Sequence, residues 1–251
     1  MALPDRFHVY RPAKSSSWSK TKIYHLGSPD IQPLFTCKET VSWTGKSSTD
    51  LYTGATDDGV PIASIASGSM HKNNATITIT ASSLPRNDES KEISEPFRRH
   101  VSLTHETWEF VASIKSGSEL YAEKFEWRRS SGDELAALRS GKKTYGWKLV
   151  RLHTSEPTNL DVSSERREIG ESSDGKEIVA VWSDDTQTWF RGDEKGVVGK
   201  FEFLGSGRGE SGLGDQWRVF AAMSALHIRQ INLQQAQAAS TTTTAAAVAV
   251  T

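Results

Sequence analysis

A chain of 251 residues with 30 Lys and Arg against 31 Asp and Glu, and a mean hydropathy of −0.51, reads as an ordinary soluble globular protein. A formal net charge of −1 excludes any bulk electrostatic pull toward nucleic acid or an anionic membrane, so only a local patch could supply one. The single cysteine, Cys37, excludes an internal disulfide framework.

The opening, MALPDRFHVYRPAK, has no apolar core of the kind a secretory signal carries, so a reducing, cytoplasmic location is expected. In that compartment the Asn74-Ala75-Thr76 sequon has no role. After the polar run Ser15, Ser16, Ser17, short alternating apolar segments follow one another with turn residues between them. Residues 23–26 form a weak candidate strand, closed by Gly27, Ser28, Pro29 and Asp30. Residues 34–43 alternate well, with Phe35, Cys37, Val41 and Trp43 on one parity. Further strands are expected at 51–55, 61–66 and 75–81, where ATITIT is β-branched at period two.

The charged, proline-bounded stretch LPRNDESKEISEP, residues 84–96, reads as a mobile insertion. Beyond it, strands are expected at 98–102, 106–113, 120–128, 145–153, 176–182, 188–191 and 197–204, with a short helical turn at 133–139. Consecutive short strands argue for an antiparallel sheet or barrel and against βαβ units. Tryptophans 43, 108, 127, 147, 182 and 189 are spread along these strands. They read as core filling rather than a stacking platform, each burying about 150–250 Å².

The strands are followed by GDQWRVFAAMSALHIRQINLQQAQAA, which predicts a helix over about 215–236. Between Trp217 and Leu233 its apolar residues occupy nearly every angle of the wheel, and a helix apolar all round is a buried one. The fold expected is therefore mainly β, a closed antiparallel barrel of about twelve strands threaded by this hydrophobic C-terminal helix. Arg218, Ser224, His227, Arg229, Gln230 and Asn232 interrupt the apolar run and argue against a membrane span, which needs about 20 predominantly apolar residues. No break in composition divides the chain, so residues 1–239 are expected to form one domain and the low-complexity residues 240–251 a disordered tail.

LYAEKFEWRRSSG and YGWKLVRL, followed by the apolar helix, resemble the fungal branch of the tubby C-terminal-like superfamily. The plant LURP-one-related proteins and the phospholipid scramblases belong to the same superfamily. The motifs carrying the resemblance are Phe125-Glu126-Trp127 and Gly146-Trp147-Lys148-Leu149. It implies the same closed barrel around a hydrophobic helix, and binding of phosphoinositide headgroups at a basic surface site that tethers the protein to the plasma membrane. Scrambling is not implied, since the chain has one cysteine and no EF-hand-like acidic loop.

The basic residues best placed for such a site are Arg128, Arg129, Arg139, Lys142 and Lys143, set against Asp133 and Glu134 in one connector. Lys and Arg bind phosphate through charge-assisted hydrogen bonds. Adjacent Arg128 and Arg129 point to opposite faces if both lie in a strand. Gly207, Gly209 and Gly212 spell GxGxxG, but no second strand with an acidic residue follows, so a flexible linker with Asp215 as helix N-cap is expected instead of a dinucleotide site. The seven histidines form no metal-ligand spacing, and His227 reads as a neutral, hydrogen-bonded core residue. No nucleophile elbow is present. The expected function is a non-catalytic, cytoplasmic module, peripheral at the plasma membrane, whose partners are anionic phospholipid headgroups. The alternative is a protein-interaction or structural scaffold without lipid affinity. No cofactor, metal or nucleic acid is expected, and the chain is expected to be a monomer.

Overall fold

The computed structural model describes residues 3–12, 21–42, 46–68, 74–80, 92–103, 105–116, 119–136, 138, 146–152, 170–184, 196–209 and 212–248. Twelve strands run in chain order: β1 (Arg6–Tyr10), β2 (Thr21–Gly27), β3 (Phe35–Val41), β4 (Ser47–Thr53), β5 (Ala63–Ser67), β6 (Asn74–Ile79), β7 (Ile93–Val101), β8 (Glu106–Ser116), β9 (Glu119–Ser130), β10 (Gly146–Arg151), β11 (Ile178–Asp184) and β12 (Val197–Phe203). Each pairs antiparallel with its sequence neighbours, and β1 pairs with β12 at Arg6↔Glu202 and Phe7↔Phe201 to close the barrel. Helix α1 (Asp133–Ala136) lies between β9 and β10, and α2 (Asp215–Val248) follows β12.

Period-two alternation decides the wall. On β9, Phe125 and Trp127 face inward, while Lys124 and Arg128 are more exposed; on β8 the inward set is Trp108, Phe110, Ala112 and Ile114. Trp108, Trp127, Trp147, Trp182 and Trp217 are all buried, so among the described residues the tryptophans fill the core. Trp43, Trp189 and the strand expected at 188–191 lie outside the described residues. The outer face of β11 is also covered in part, because Leu135 and Leu138 of the short helical turn pack on Ile178 and Val181.

Helix α2 is buried on every side from Trp217 to Ile231 except at Val219, which is partly exposed. Its Trp217 meets Phe125 and Phe203, Phe220 stacks on Phe110, and His227 sits edge-on to Phe97 and Trp108. Ser224, Arg229 and Gln230 meet polar groups of the wall. Ser224 Oγ accepts from Trp127 Nε1 at 2.8 Å and donates to the Ala221 carbonyl. Thr49 Oγ1 donates to Gln230 Oε1 at 3.2 Å. Arg229 Nη1 donates to Glu39 Oε1 at 3.1 Å, and its guanidinium lies 4.3 Å from the Tyr24 ring centre. Burial opposes the charge of Arg229, but Tyr24, Glu39 and Asp184 outweigh it and hold its pKa above the ordinary value. Burial pushes the Glu39 carboxyl up against the pull of Arg229 and Lys22.

Five local features differ from expectation. Strand β1 was not among the expected strands, because RFHVY offers only two inward apolar positions, Phe7 and Val9, before the chain reaches Pro12. The expected insertion at 84–96 is strand in its last part, where Ile93 pairs with Ile79 and Pro96 with Thr76. The glycine-rich segment is a packed strap rather than a flexible linker. Its 3-10 turn, Gly205–Gly207, is held by Glu177, which accepts from the Ser206 amide at 2.6 Å and the Ser206 hydroxyl at 2.9 Å. A Cβ on Gly207 would lie 2.3 Å from the Val179 carbonyl oxygen, so only glycine fits there. Asp215 is the first helical residue rather than the cap, and Gly214 precedes it at φ +90. Finally, α2 runs beyond 236 to Val248, through much of the expected tail. Alanine has the highest helix propensity, and a helix already nucleated propagates one bond at a time.

Two measurements check this core. Arg229→Met should destabilise by about 3–5 kcal/mol in chemical denaturation, because it leaves Glu39 buried without its partner; adding Glu39→Gln should recover most of the loss. His227 is fully buried, and burial pushes its pKa from 6.5 down to about 4. The unfolded chain therefore takes up this proton first, so stability is lost as pH falls from about 6.5 toward 4, by about 3 kcal/mol, and no further below. The difference between wild type and His227→Phe across that window should show this loss.

Candidate functional site

The strand order assigns every connection to one of two ends. At the proximal end, α2 begins beside the strap; at the distal end it leaves the barrel past β7, β8 and β9. The connections that start and finish at the distal rim are residues 11–20, 42–46, 68–73, 102–105, 131–145 and 185–196, with ten Lys and Arg against five Asp and Glu, a net +5. The proximal segments are residues 1–5, 28–34, 54–62, 80–92, 117–118, 152–177 and 204–214, with six basic against fifteen acidic residues, a net −9. Among the described residues of these segments, the proximal ones carry eight acidic against two basic side chains, and the distal ones carry Arg11 and Lys46 against Asp133 and Glu134.

Several inward-facing positions turn polar where the core stops at the distal rim. Arg99 on β7, Glu106 on β8 and Arg129 on β9 share the inward parity of Phe97, Trp108 and Trp127, one step further along each strand. Glu106 ties them together. Its carboxylate accepts from Arg99 Nε at 2.8 Å, from Trp108 Nε1 at 3.3 Å and from Arg129 Nη2 at 3.3 Å. Arg129 also covers the Trp147 ring at 4.2 Å and donates to Asn232 Oδ1 at 3.4 Å. With its amide oriented to accept, Gln235 lies 3.0 Å from the Arg99 guanidinium. Helix α2 is therefore held at its point of exit by a bracket of two arginines around one glutamate.

The five expected basic residues are not brought into a single patch by what is described. Arg128 faces outward from the wall, where its Nε donates to Glu126 at 2.6 Å and its Nη1 to both Asp174 oxygens at 3.0 Å. Burial opposes its charge, but those two carboxylates raise its pKa. Arg129 stands on the other face, at the rim, as strand alternation required. Arg139, Lys142 and Lys143 lie outside the described residues, in the connection that joins β9 to β10 at the distal end.

Sequence reasoning passed over Arg98, Arg99, Glu106, Asn232 and Gln235. A signal existed in the parity of Arg99, Glu106 and Arg129 with buried aromatics two residues away, but it needs the register to be read. Beyond the bracket, the hairpin turn between β7 and β8 closes with Ser102 N donating to the His105 carbonyl at 2.8 Å. Exposed Arg98 stands on its outer side, and His100 bonds to Glu109 at 3.1 Å.

Among the described residues, no group of three or more His, Cys, Asp or Glu side chains could hold a metal ion. Cys37 is fully buried, and burial pushes its thiol pKa well up. Among the described residues, no helix is long and apolar enough to cross a membrane. No protein-family model, curated protein or solved structure matches the chain.

The bracket carries its own test. Glu106→Ala should speed backbone hydrogen exchange over residues 232–238 and lower stability by about 1 kcal/mol, whereas Glu109→Ala on the outer wall should leave exchange in that helix unchanged.

Proposed function

We propose that the chain is a non-catalytic module of the tubby C-terminal-like type that attaches reversibly to anionic phospholipid through the basic connections at the distal end of its barrel. The reading is supported by the charge of the connecting sequences, which sum to +5 where they join strands at the distal rim and to −9 where they join them at the proximal rim. Basic connections at the distal rim would present a cationic face to a negative surface, even though the net charge is −1. Each basic residue near an anionic leaflet contributes about 1 kcal/mol, and the effect fades within a Debye length.

The tubby-like part of the proposal is supported by the twelve-strand closed antiparallel barrel around a C-terminal helix. It is also supported by the two motifs, which fall on paired strands with Leu149 opposite Trp127. The acidic proximal connections favour a second reading, a scaffold that docks a basic protein, since exposed Ile31, Val60 and Leu120 stand at or beside them.

Cosedimentation with phosphatidylcholine vesicles containing phosphatidylserine or a phosphoinositide should show binding that weakens as salt rises. Lys142→Glu with Lys143→Glu should weaken it by about tenfold or more, given the contribution per charge. Arg166→Glu with Arg167→Glu, in a connection of the proximal end, should leave it unchanged. Equal binding to vesicles of phosphatidylcholine alone sinks the reading.

A further inference from the structure

At the distal end, one feature is apolar and fully open to solvent. Val101, the last residue of β7, is 60% exposed, and Leu103 in the following turn is 106% exposed, as open as a side chain can be. Single exposed apolar residues are common on protein surfaces. These two are set apart by their support and their neighbours. Besides the Ser102 amide bond, the Ser102 hydroxyl accepts from the His105 amide at 3.1 Å, so the tip is held by its own hydrogen bonds. Arg98 is exposed on the same hairpin. Arg99 and Arg129 lie just behind, at the bracket.

Two of the exposed apolar residues of the proximal end stand in different surroundings, while Leu120 lies opposite Lys115. Ile31 follows Asp30, and Val60 follows Asp57 and Asp58. At the β7–β8 hairpin the exposed apolar pair stands with the exposed guanidinium of Arg98, a combination suited to an anionic bilayer interface. There the side chains enter the acyl boundary while arginine stems lie along it and their heads reach phosphate.

We propose that the β7–β8 hairpin is a membrane wedge, with Val101 and Leu103 entering an anionic bilayer and Arg98 held at the phosphate level. This rests on the lipid-attachment reading and adds to it a defined point of insertion.

The test uses the full chain with Leu103→Cys labelled with a polarity-sensitive fluorophore; the buried native Cys37 is changed to Ser if it labels. Vesicles of phosphatidylcholine with phosphatidylserine should shift the emission to the blue, and lipids brominated near the headgroup should quench it. The uncharged variant Val101→Ser with Leu103→Ser should keep the wild-type melting temperature and bind these vesicles about tenfold more weakly or worse, from the loss of two apolar contacts. Salt-sensitive binding with an unshifted label, or full binding by the serine variant, overturns the wedge and leaves electrostatic attachment standing. Absence of vesicle binding by the wild type at low salt overturns both. Capture of a protein that needs Leu103, without vesicle association, also overturns it.

Discussion

A helix enclosed by a closed sheet has no access to water, so each polar side chain it carries must be met by the wall or left unsatisfied at a cost of kilocalories. This constraint sets where α2 can stop along the barrel axis. Ser224 is fixed by Trp127, Arg229 by Glu39 and Gln230 by Thr49, and these partners come from three different strands. Sliding the helix by one turn would detach all three together. An apolar helix in an apolar tube has many similar resting depths; these polar contacts select one, and the bracket of Arg99, Glu106 and Arg129 fixes the point of exit.

That fixed depth connects the interior to the surface. Because α2 ends its burial near Ile231, the polar residues Asn232 and Gln235 reach the rim, and the inward positions of β7, β8 and β9 become charged there instead of apolar. The same strand ends carry the hairpin with Val101 and Leu103 and the connection with Arg139, Lys142 and Lys143. The exposed hairpin is thus continuous with the pattern that ends the core.

Much of the architecture was legible because buried groups leave strong patterns. The helix announced itself through apolar residues at every angle, and ATITIT, Trp108/Phe110 and Phe125/Trp127 marked strands by parity. Strand β1 escaped because five residues give periodicity too little length, yet it is the strand that closes the barrel against β12. The basic connector at Arg128–Lys143 was found by counting charge along the chain, but counting does not reveal that Arg128 is already occupied by Glu126 and Asp174. The separation of charge between the two ends was hidden for a different reason. Connections of the two rims alternate along the sequence, and only the strand order sorts their charges, +5 against −9, within a chain of net charge −1.

The order of elements has a kinetic consequence. The seam joins the first strand to the twelfth, and the element that fills the lumen comes after both, so most stabilising contacts span long separations in the chain. Such topologies fold slowly, since loop closure must precede the contacts that reward it. On a ribosome, the inner faces of eleven strands emerge before either the closing strand or the rod that occupies their centre. Until residues 215–231 have been made, the nascent sheet has no means of drying its interior, and its edges and aromatic inner face stay open to other chains.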